Sequence, residues 1–324
     1  MEIGSFIELD LRNTGEYYSD DAFEIARLNS ARSGIVHAIR VMNCKIIYIP
    51  YYLCPSVGNF IQKNGIEIKY YNITNDFLFS INQKESDSAI LVVNYFGIFS
   101  NTFLENVTNQ FKNVIVDNSA AFFSHPIAGN ICIYSPRKFF GVPDGCYVIG
   151  KDANLLTENY LSDFSSNTAN FLLKRIEYGS SAVYDERMKN EERIDNSDVL
   201  KMSVLTKKIL SNIDYKTIKE KRKQNFEITH NLYKSINIID PVSQMDEHCI
   251  PMVYPLVIKH VTIVEQLKEI GIYTGRWWKH VLDNVSSESF EALLSRYMIP
   301  LPIDQRYDKD ELNYISKQVF QILK

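Results

Sequence analysis

The chain has 324 residues, of which 45% are hydrophobic and 23% are charged, and its formal net charge is −4. This composition excludes a disordered or collagen-like protein. The near balance of 35 basic and 39 acidic residues also gives no electrostatic reason to bind nucleic acid or an anionic membrane. The sequence has no run of about 18 apolar residues, so we expect no membrane-spanning helix.

The cysteines indicate a reducing compartment. They are odd in number and scattered, with no C-x-x-C pair, which favours reduced thiols over a disulfide framework or a zinc ribbon. The first ten residues, M-E-I-G-S-F-I-E-L-D, have neither the basic nor the apolar region of a signal peptide. We therefore expect a cytoplasmic protein without a metal site. The cysteines are Cys44, Cys54, Cys132, Cys146 and Cys249.

Short apolar runs alternate with helix-like segments in the first half of the chain. Such near-continuous apolar strands, spaced by room for crossover helices, predict a mostly parallel sheet covered on both faces. The last two runs lie too close together for a helical crossover, so we expect an antiparallel pair there. The predicted strands are 45–50, 66–73, 89–97, 113–118, 131–135 and 146–150.

The second half is dominated by helical, charged segments. Residues 201–236 carry apolar residues at helical spacing, and their basic run K-E-K-R-K indicates a solvated helix face. Strand character returns over 250–258, and a helix over 264–271 ends on a C-capping glycine. A turn-rich stretch, 297–304, then leads into a terminal helix.

This change of pattern predicts a large domain of residues 1–205 and a smaller α+β domain of residues 206–324. In the second domain, residues 246–249 read D-E-H-C, but consecutive residues cannot all face one ion, so a polar loop is favoured over a metal site. Arg276 precedes Trp277 and Trp278. It is either a cation for a substrate carboxylate or phosphate, or a surface arginine beside a packed aromatic corner.

Three charged side chains lie at or just after the ends of predicted strands in the first half. Asp117 ends the run V-I-V, at the carboxyl end of a strand where α/β sheets bind ligands, although a helix cap or a turn is an alternative. Lys138 lies in the loop S-P-R-K-F-F-G-V-P-D-G. A desolvated lysine there would be a nucleophile toward aldehydes, and an exposed loop lysine is the alternative. Arg137 cannot form an imine, so it is the candidate for a phosphate or carboxylate contact.

A third feature is L-N-S-A-R-S-G-I-V-H-A-I-R over 28–40, where small residues lead into an amphipathic helix. Backbone N–H groups around Ser30, Ala31 and Arg32 would form an anion site at the helix N-terminus, and Ser30 is equally compatible with an ordinary N-cap. Pyridoxal phosphate (PLP) needs a lysine, a carboxylate for its ring nitrogen and a helix N-terminus for its phosphate. The three features together therefore fit this cofactor.

The order of the segments resembles the DegT/StrS-type aminotransferases, which are fold-type-I PLP enzymes that mostly act on nucleotide-linked keto-sugars. The resemblance runs in order through most of the chain and ends near the C-terminus. The matching segments are S-A-R-S-G-I-V-H-A-I, I-P-Y-Y-L-C-P-S-V-G-N-F, V-V-N-Y-F-G, V-I-V-D-N-S-A-A, S-P-R-K-F-F-G-V-P-D-G and I-P-L-P-I-D-Q-R-Y.

This resemblance implies a three-layer αβα large domain with a mostly parallel sheet and a smaller α+β C-terminal domain. It implies that Lys138 binds PLP covalently and shuttles a proton, while Asp117 pairs with the ring nitrogen. The other implied contacts are Ser30, Ala31, Arg32 and Ser135 for the phosphate, Tyr52 stacked on the ring, Asn94 and Tyr95 near cofactor or substrate, and Arg137 and Arg276 for the substrate.

The chain departs from the family pattern at four places. Ala120 replaces a glutamine, Cys146 a glycine and Ile133 a serine, and V-L-K-M over 199–202 lacks the asparagine that reaches across the family's dimer. The resemblance implies amino transfer from a glutamate-like donor to a nucleotide-linked keto-sugar, in surface-polysaccharide or antibiotic-sugar biosynthesis. The departures leave open another PLP carbanion reaction, such as dehydration or racemisation, and a non-catalytic dimeric relative. A homodimer with shared active sites and small-molecule partners is expected, with no nucleic acid or membrane partner.

Overall fold

The computed structural model describes residues 3–4, 6–83 and 85–324. Its strands form a seven-stranded sheet in the first half of the chain and a two-stranded sheet in the second half. The strands are β1 (Ile25–Leu28), β2 (Ile46–Pro50), β3 (Glu67–Tyr71), β4 (Ser88–Val93), β5 (Val114–Asp117), β6 (Ile131–Tyr134), β7 (Cys146–Ile149), β8 (Val253–Val257) and β9 (Met298–Pro302). The helices are α1 (Ala31–Val41), α2 (Pro55–Lys63), α3 (Asn101–Thr108), α4 (Asn170–Ala182), α5 (Tyr184–Asn196), α6 (Val204–Leu210), α7 (Tyr215–Tyr233), α8 (Ile263–Glu269), α9 (Phe290–Tyr297) and α10 (Lys309–Ile322).

The large sheet has the strand order β1-β7-β6-β5-β4-β2-β3. Strands β2 to β6 pair in parallel, whereas β7 is antiparallel to both β6 and β1. Every residue of β4, β5, β6 and β7 is buried, so both faces of this part of the sheet are covered. The expected mostly parallel sheet and its antiparallel pair are confirmed.

The edge strand β1 was not among the strands predicted from the sequence. It is short, and Arg27 interrupts its apolar run. The Arg27 guanidinium forms ion pairs with Glu16 and Asp20, both at 2.8 Å, so the charge is neutralised beside the sheet. Such a strand has no distinctive sequence pattern, because the carboxylates that neutralise its arginine lie outside the strand.

Helix α1 packs on β6 and β7 at a very small separation. A Cβ atom at Gly34 would lie 2.7 Å from the Cys146 Sγ atom, so the helix needs a glycine where it crosses the strand. This close approach places the N-terminus of α1 near the carboxyl ends of the central strands.

In the second half, the helical expectation for 201–236 is confirmed, but the segment is divided into α6 and α7. Asp214 begins α7, because its carboxylate accepts a hydrogen bond from the Thr217 N–H group at 3.1 Å. The expected strand and helix before residue 271 appear as β8 and α8.

The turn-rich assignment of 297–304 was wrong, because Met298–Pro302 forms β9 and pairs antiparallel with β8. Its prolines suggested turns, but a two-stranded sheet leaves one side of each strand free, where a missing N–H group costs no ladder hydrogen bond. The expected terminal helix follows as α10. Among the described residues, no helix is both long and apolar enough to cross a membrane.

Candidate active site

A cavity of about 180 Å³ lies where three adjacent parallel strands end. Val93 and Asp117 are the last residues of β4 and β5, and Ser135 directly follows β6. Ligands of parallel α/β sheets bind at this edge. The cavity brings together most of the site residues predicted from the sequence, namely Ser30, Ala31, Arg32, Tyr95, Asp117, Ser135, Arg137 and Lys138.

Asp117 lies at the carboxyl edge of the sheet, where it lines the cavity, and is 6% exposed. One carboxylate oxygen, Oδ1, accepts a hydrogen bond from the Ser119 N–H group at 2.9 Å, which is the contact of a turn aspartate. The Ser119 hydroxyl also lines the cavity, is buried and has no hydrogen-bond partner among the described residues. A buried hydroxyl without a partner is costly, so a polar ligand group in the cavity would satisfy it.

Lys138 ends a short 3-10 turn, Pro136–Lys138, in what we call the lysine loop (residues 135–145). The Pro136 carbonyl accepts hydrogen bonds from the N–H groups of Phe139 and Phe140 at 3.0 and 2.9 Å. The lysine side chain is exposed in the single chain and makes no hydrogen bond or ion pair with the described residues. The expected desolvation of the amine is therefore absent in one isolated copy.

The N-terminus of α1 faces the same cavity. Ser30 is its N-cap, and the hydroxyl accepts a hydrogen bond from the Ser33 N–H group at 3.2 Å. The first N–H groups of a helix have no partner within the helix, so those of Ala31 and Arg32 remain available for an anion. The Ser30 side chain can therefore act as an N-cap while the backbone N–H groups form the anion site.

Two ion pairs join the cavity to α5. The Arg137 guanidinium pairs with Glu191, which also lines the cavity, and the Arg32 guanidinium pairs with Asp195. Neither carboxylate was predicted from the sequence as a site residue. Their spacing of four residues, which places them on one helix face, is the signal that could have found them.

The electrostatics of these pairs follow from burial and mutual charge. Burial, assisted by the nearby charge of Arg137, lowers the pKa of Arg32. Burial alone would raise the pKa of Glu191, but the charge and hydrogen bond of Arg137 lower it overall. Glu191 therefore stays ionised beside its arginine at neutral pH.

Three predicted residues do not line the cavity. Tyr52 is fully buried with its ring edge-on to Trp278, and Leu53 and Cys54 of the same loop line the cavity instead. The expected stacking of Tyr52 on a cofactor ring therefore has no geometric support. Asn94 is also fully buried, and its amide group hydrogen-bonds to Asn118 at 3.0 Å.

Arg276 is the third predicted residue that does not line the cavity, because its guanidinium is hydrogen-bonded to backbone carbonyls. Its guanidinium donates to the His260 carbonyl at 2.6 Å and lies near that of Met298 at 3.4 Å. The neighbouring Trp277 and Trp278 do line the cavity, with ring centroids 5.4 Å apart. The geometry therefore favours the alternative of a packed aromatic corner over a substrate-binding role for Arg276.

The structure also locates two of the positions at which the chain departs from the family pattern. Ala120 lines the cavity, so the position is at the site but offers no side-chain hydrogen bond. Val199 is 6% exposed, and in the same segment the backbone of Lys201 bridges to Leu28 and Ser162 of its own chain. This segment supplies no polar side chain in place of the family's asparagine.

The sequence matches no protein-family model and no curated protein. The structure, however, is similar to that of the sugar aminotransferase CalS13 from Micromonospora echinospora, with a TM-score of 0.62 and 13% identity over 92% of this chain and 87% of that one. A DegT DnrJ EryC1 StrS aminotransferase from Brucella abortus gives a TM-score of 0.63 and 13% identity over 93% and 86%. The PLP form of Spr1654 from Streptococcus pneumoniae, assigned as a sugar aminotransferase, gives 0.64 and 14% over 92% and 86%.

The chain therefore has the fold of the fold-type-I PLP-dependent aminotransferases. The fold implied by the resemblance of its sequence segments is confirmed over most of the chain.

Proposed function

We propose that this chain is a PLP-dependent aminotransferase that transfers an amino group from a glutamate-like donor to a nucleotide-linked keto-sugar. One observation carries the proposal: a single cavity holds a strand-end carboxylate, a loop lysine and the N-terminus of α1. The similarity in fold to sugar aminotransferases supports the reaction class and the type of acceptor.

The residues of the cavity fit the cofactor. The free N–H groups at the start of α1 would bind the phosphate, and Asp117 would hold a proton at the ring nitrogen. The unpartnered hydroxyl of Ser119 offers a hydrogen bond beside that carboxylate. The Lys138 amine would carry the covalent attachment and move a proton to and from the substrate. When bound, PLP supplies an electron sink for the electrons released at the substrate carbon.

A covalent-trapping experiment tests this assignment. The full chain is mixed with PLP, treated with borohydride and digested, and the labelled peptide is identified by mass spectrometry. We expect the label on Lys138 and its loss in Lys138→Ala. Lys151→Ala, which removes another exposed lysine, should label normally. A wild-type protein that takes up no PLP would refute the proposal and favour the non-catalytic relative.

A second reaction on the same cofactor is favoured by Ala120, because the cavity there lacks the family's glutamine side chain. Dehydration or racemisation needs no amino donor, whereas amino transfer does. One equivalent of 2-oxoglutarate released from glutamate by the PLP-loaded protein would support amino transfer. Absence of release, with Lys138 still labelled, would select the other carbanion chemistry.

The proposal includes a cytoplasmic homodimer with small-molecule substrates. Lys138 is exposed in the single chain, and the outer face of α4 presents Leu173 and Ile176 at 64% and 84% exposure. A second copy that covered these apolar side chains would bury them and help to desolvate the site. Sedimentation should give a dimer for the wild type and a monomer for Leu173→Glu/Ile176→Glu. A wild-type monomer at micromolar concentration would contradict this part of the proposal.

A further inference from the structure

Arg137 is the cavity cation nearest to Lys138 in the chain, and it is not free. Its guanidinium pairs with Glu191 of α5, and the two side chains are 16% and 27% exposed. A planar guanidinium is suited to grip a carboxylate or phosphate with two parallel hydrogen bonds. The Glu191 carboxylate, which belongs to the chain itself, already holds one nitrogen of this guanidinium, Nη2.

An oxyanion entering the cavity therefore meets a competitor. A ligand that binds Arg137 with two parallel hydrogen bonds through Nη2 competes with Glu191 for that nitrogen, and the negative charge of Glu191 repels it. A displaced Glu191 has a second partner, because Arg187 lies one helical turn earlier on α5 and its charge already contributes to lowering the Glu191 pKa. The side chain can thus move between two cations without losing its charge compensation.

We propose that Glu191 is a built-in counter-ion that an oxyanion of the substrate displaces from Arg137, so that Glu191 sets the affinity of the cavity for anionic substrates. The identity of the substrate rests on the proposed function, in which the amino donor carries carboxylates. The anion site at the start of α1 is separate, because it uses backbone N–H groups rather than Arg137.

The chain provides its own reporter for this competition. Its two tryptophans, Trp277 and Trp278, both line the cavity, so intrinsic fluorescence reports ligand entry. Glutarate and inorganic phosphate are titrated in parallel into the full chain as purified. Glu191→Gln should tighten glutarate binding about tenfold, because a charge-assisted hydrogen bond to Arg137 is exchanged for a weaker amide contact. A larger gain for phosphate than for glutarate would assign the displaced position to a phosphate group of the substrate.

Matched variants separate this effect from a general change of charge. Glu192 is the next residue of α5 and is exposed, so Glu192→Gln should leave both affinities unchanged. Glu191→Asp keeps the charge but shortens the side chain, and it should also tighten binding, which provides a test if Glu191→Gln folds poorly. The gain should vanish in Glu191→Gln/Arg137→Gln.

Unchanged affinity in both Glu191 variants, an equal gain in Glu192→Gln, or a gain that survives loss of Arg137 would overturn the inference. A loss of structure alone would weaken binding, so a gain in affinity cannot come from a purely structural role of Glu191. Lys138 trapping is independent of these titrations, so failure here and failure of the proposed function are distinguishable.

Discussion

Asp144 should be one of the most destabilising positions of the lysine loop. The side chain is fully buried, and its carboxylate accepts hydrogen bonds from the Ser203 N–H group at 2.8 Å, the Ser203 hydroxyl at 2.7 Å and the Thr206 hydroxyl. It therefore fixes the start of α6 to the end of the loop. In the sequence, Asp144 appeared only as part of the segment S-P-R-K-F-F-G-V-P-D-G, which resembles the family.

The magnitude follows from the donors left behind. Each buried donor that loses its acceptor costs about 1–3 kcal/mol. The Ser203 hydroxyl has a second neighbour, Ser165, at 2.7 Å, so it retains a partner. For Asp144→Ala we therefore expect a loss of about 4 kcal/mol from the Ser203 N–H group, the Thr206 hydroxyl and the vacated volume. Asp144→Asn keeps one acceptor oxygen and should lose about 2 kcal/mol.

Urea denaturation followed by circular dichroism measures these losses as shifts of the midpoint at constant slope. Asp21 is exposed and makes no side-chain hydrogen bond with the described residues, so Asp21→Asn is the control and should change stability by less than about 0.5 kcal/mol. A loss below about 1 kcal/mol in Asp144→Ala would refute the reasoning, because a buried carboxylate with three donors cannot be removed at so small a cost.

Three further predictions concern packing, charge and pH. Gly34→Ala should cost about 1–3 kcal/mol in urea denaturation because its Cβ would meet Cys146, and adding Cys146→Ala should recover much of it. Arg222→Met should cost about 2–4 kcal/mol, because this buried guanidinium donates to the Gln305 side chain at 3.0 Å and to the Met252 carbonyl. An unchanged urea midpoint would contradict that role. Burial lowers the pKa of His37, so the unfolded chain binds a proton more readily and stability should fall from about pH 7.5 to about pH 5.5. His37→Gln should flatten that slope, and an unaltered slope would contradict the assignment.

The central sheet could be predicted from the sequence because its strands are buried on both faces and therefore appear as continuous apolar runs. β1 and β9 could not. The first carries a charge that carboxylates of the preceding segment neutralise, and the second carries prolines that a two-stranded sheet tolerates. The boundary near residue 205 stays a prediction, since it rests on the change of pattern along the sequence.

At the site, residues fixed to strand ends and to the helix start were predictable, because strand polarity determines where they lie. Asp117, Ser135 and the start of α1 all meet at the cavity. The loop after β2 was not predictable to one residue. Leu53 and Cys54, rather than Tyr52, face the cavity, because loop register depends on packing against Trp278.

The lysine loop holds the backbone around Lys138 in place, although the side-chain amine is exposed. Lys138 has no side-chain partner among the described residues, but the backbone around it is fixed from three directions. Gln305 donates to the Phe139 carbonyl at 2.8 Å, Asn190 donates to the Pro143 carbonyl at 2.8 Å, and the Gly145 N–H group donates to the Asn29 carbonyl at 2.7 Å.

These three anchors come from separate parts of the chain: the segment after β9, helix α5, and the segment that enters α1. Because the backbone is fixed, the amine needs no bond of its own and stays available for a ligand. The α5 anchor has a second consequence. The helix that holds the loop through Asn190 also carries Glu191, so the counter-ion of Arg137 and the position of Lys138 are set by one element. Displacement of Glu191 by a substrate need not disturb the loop, because the Asn190 contact is made to backbone and carries no charge.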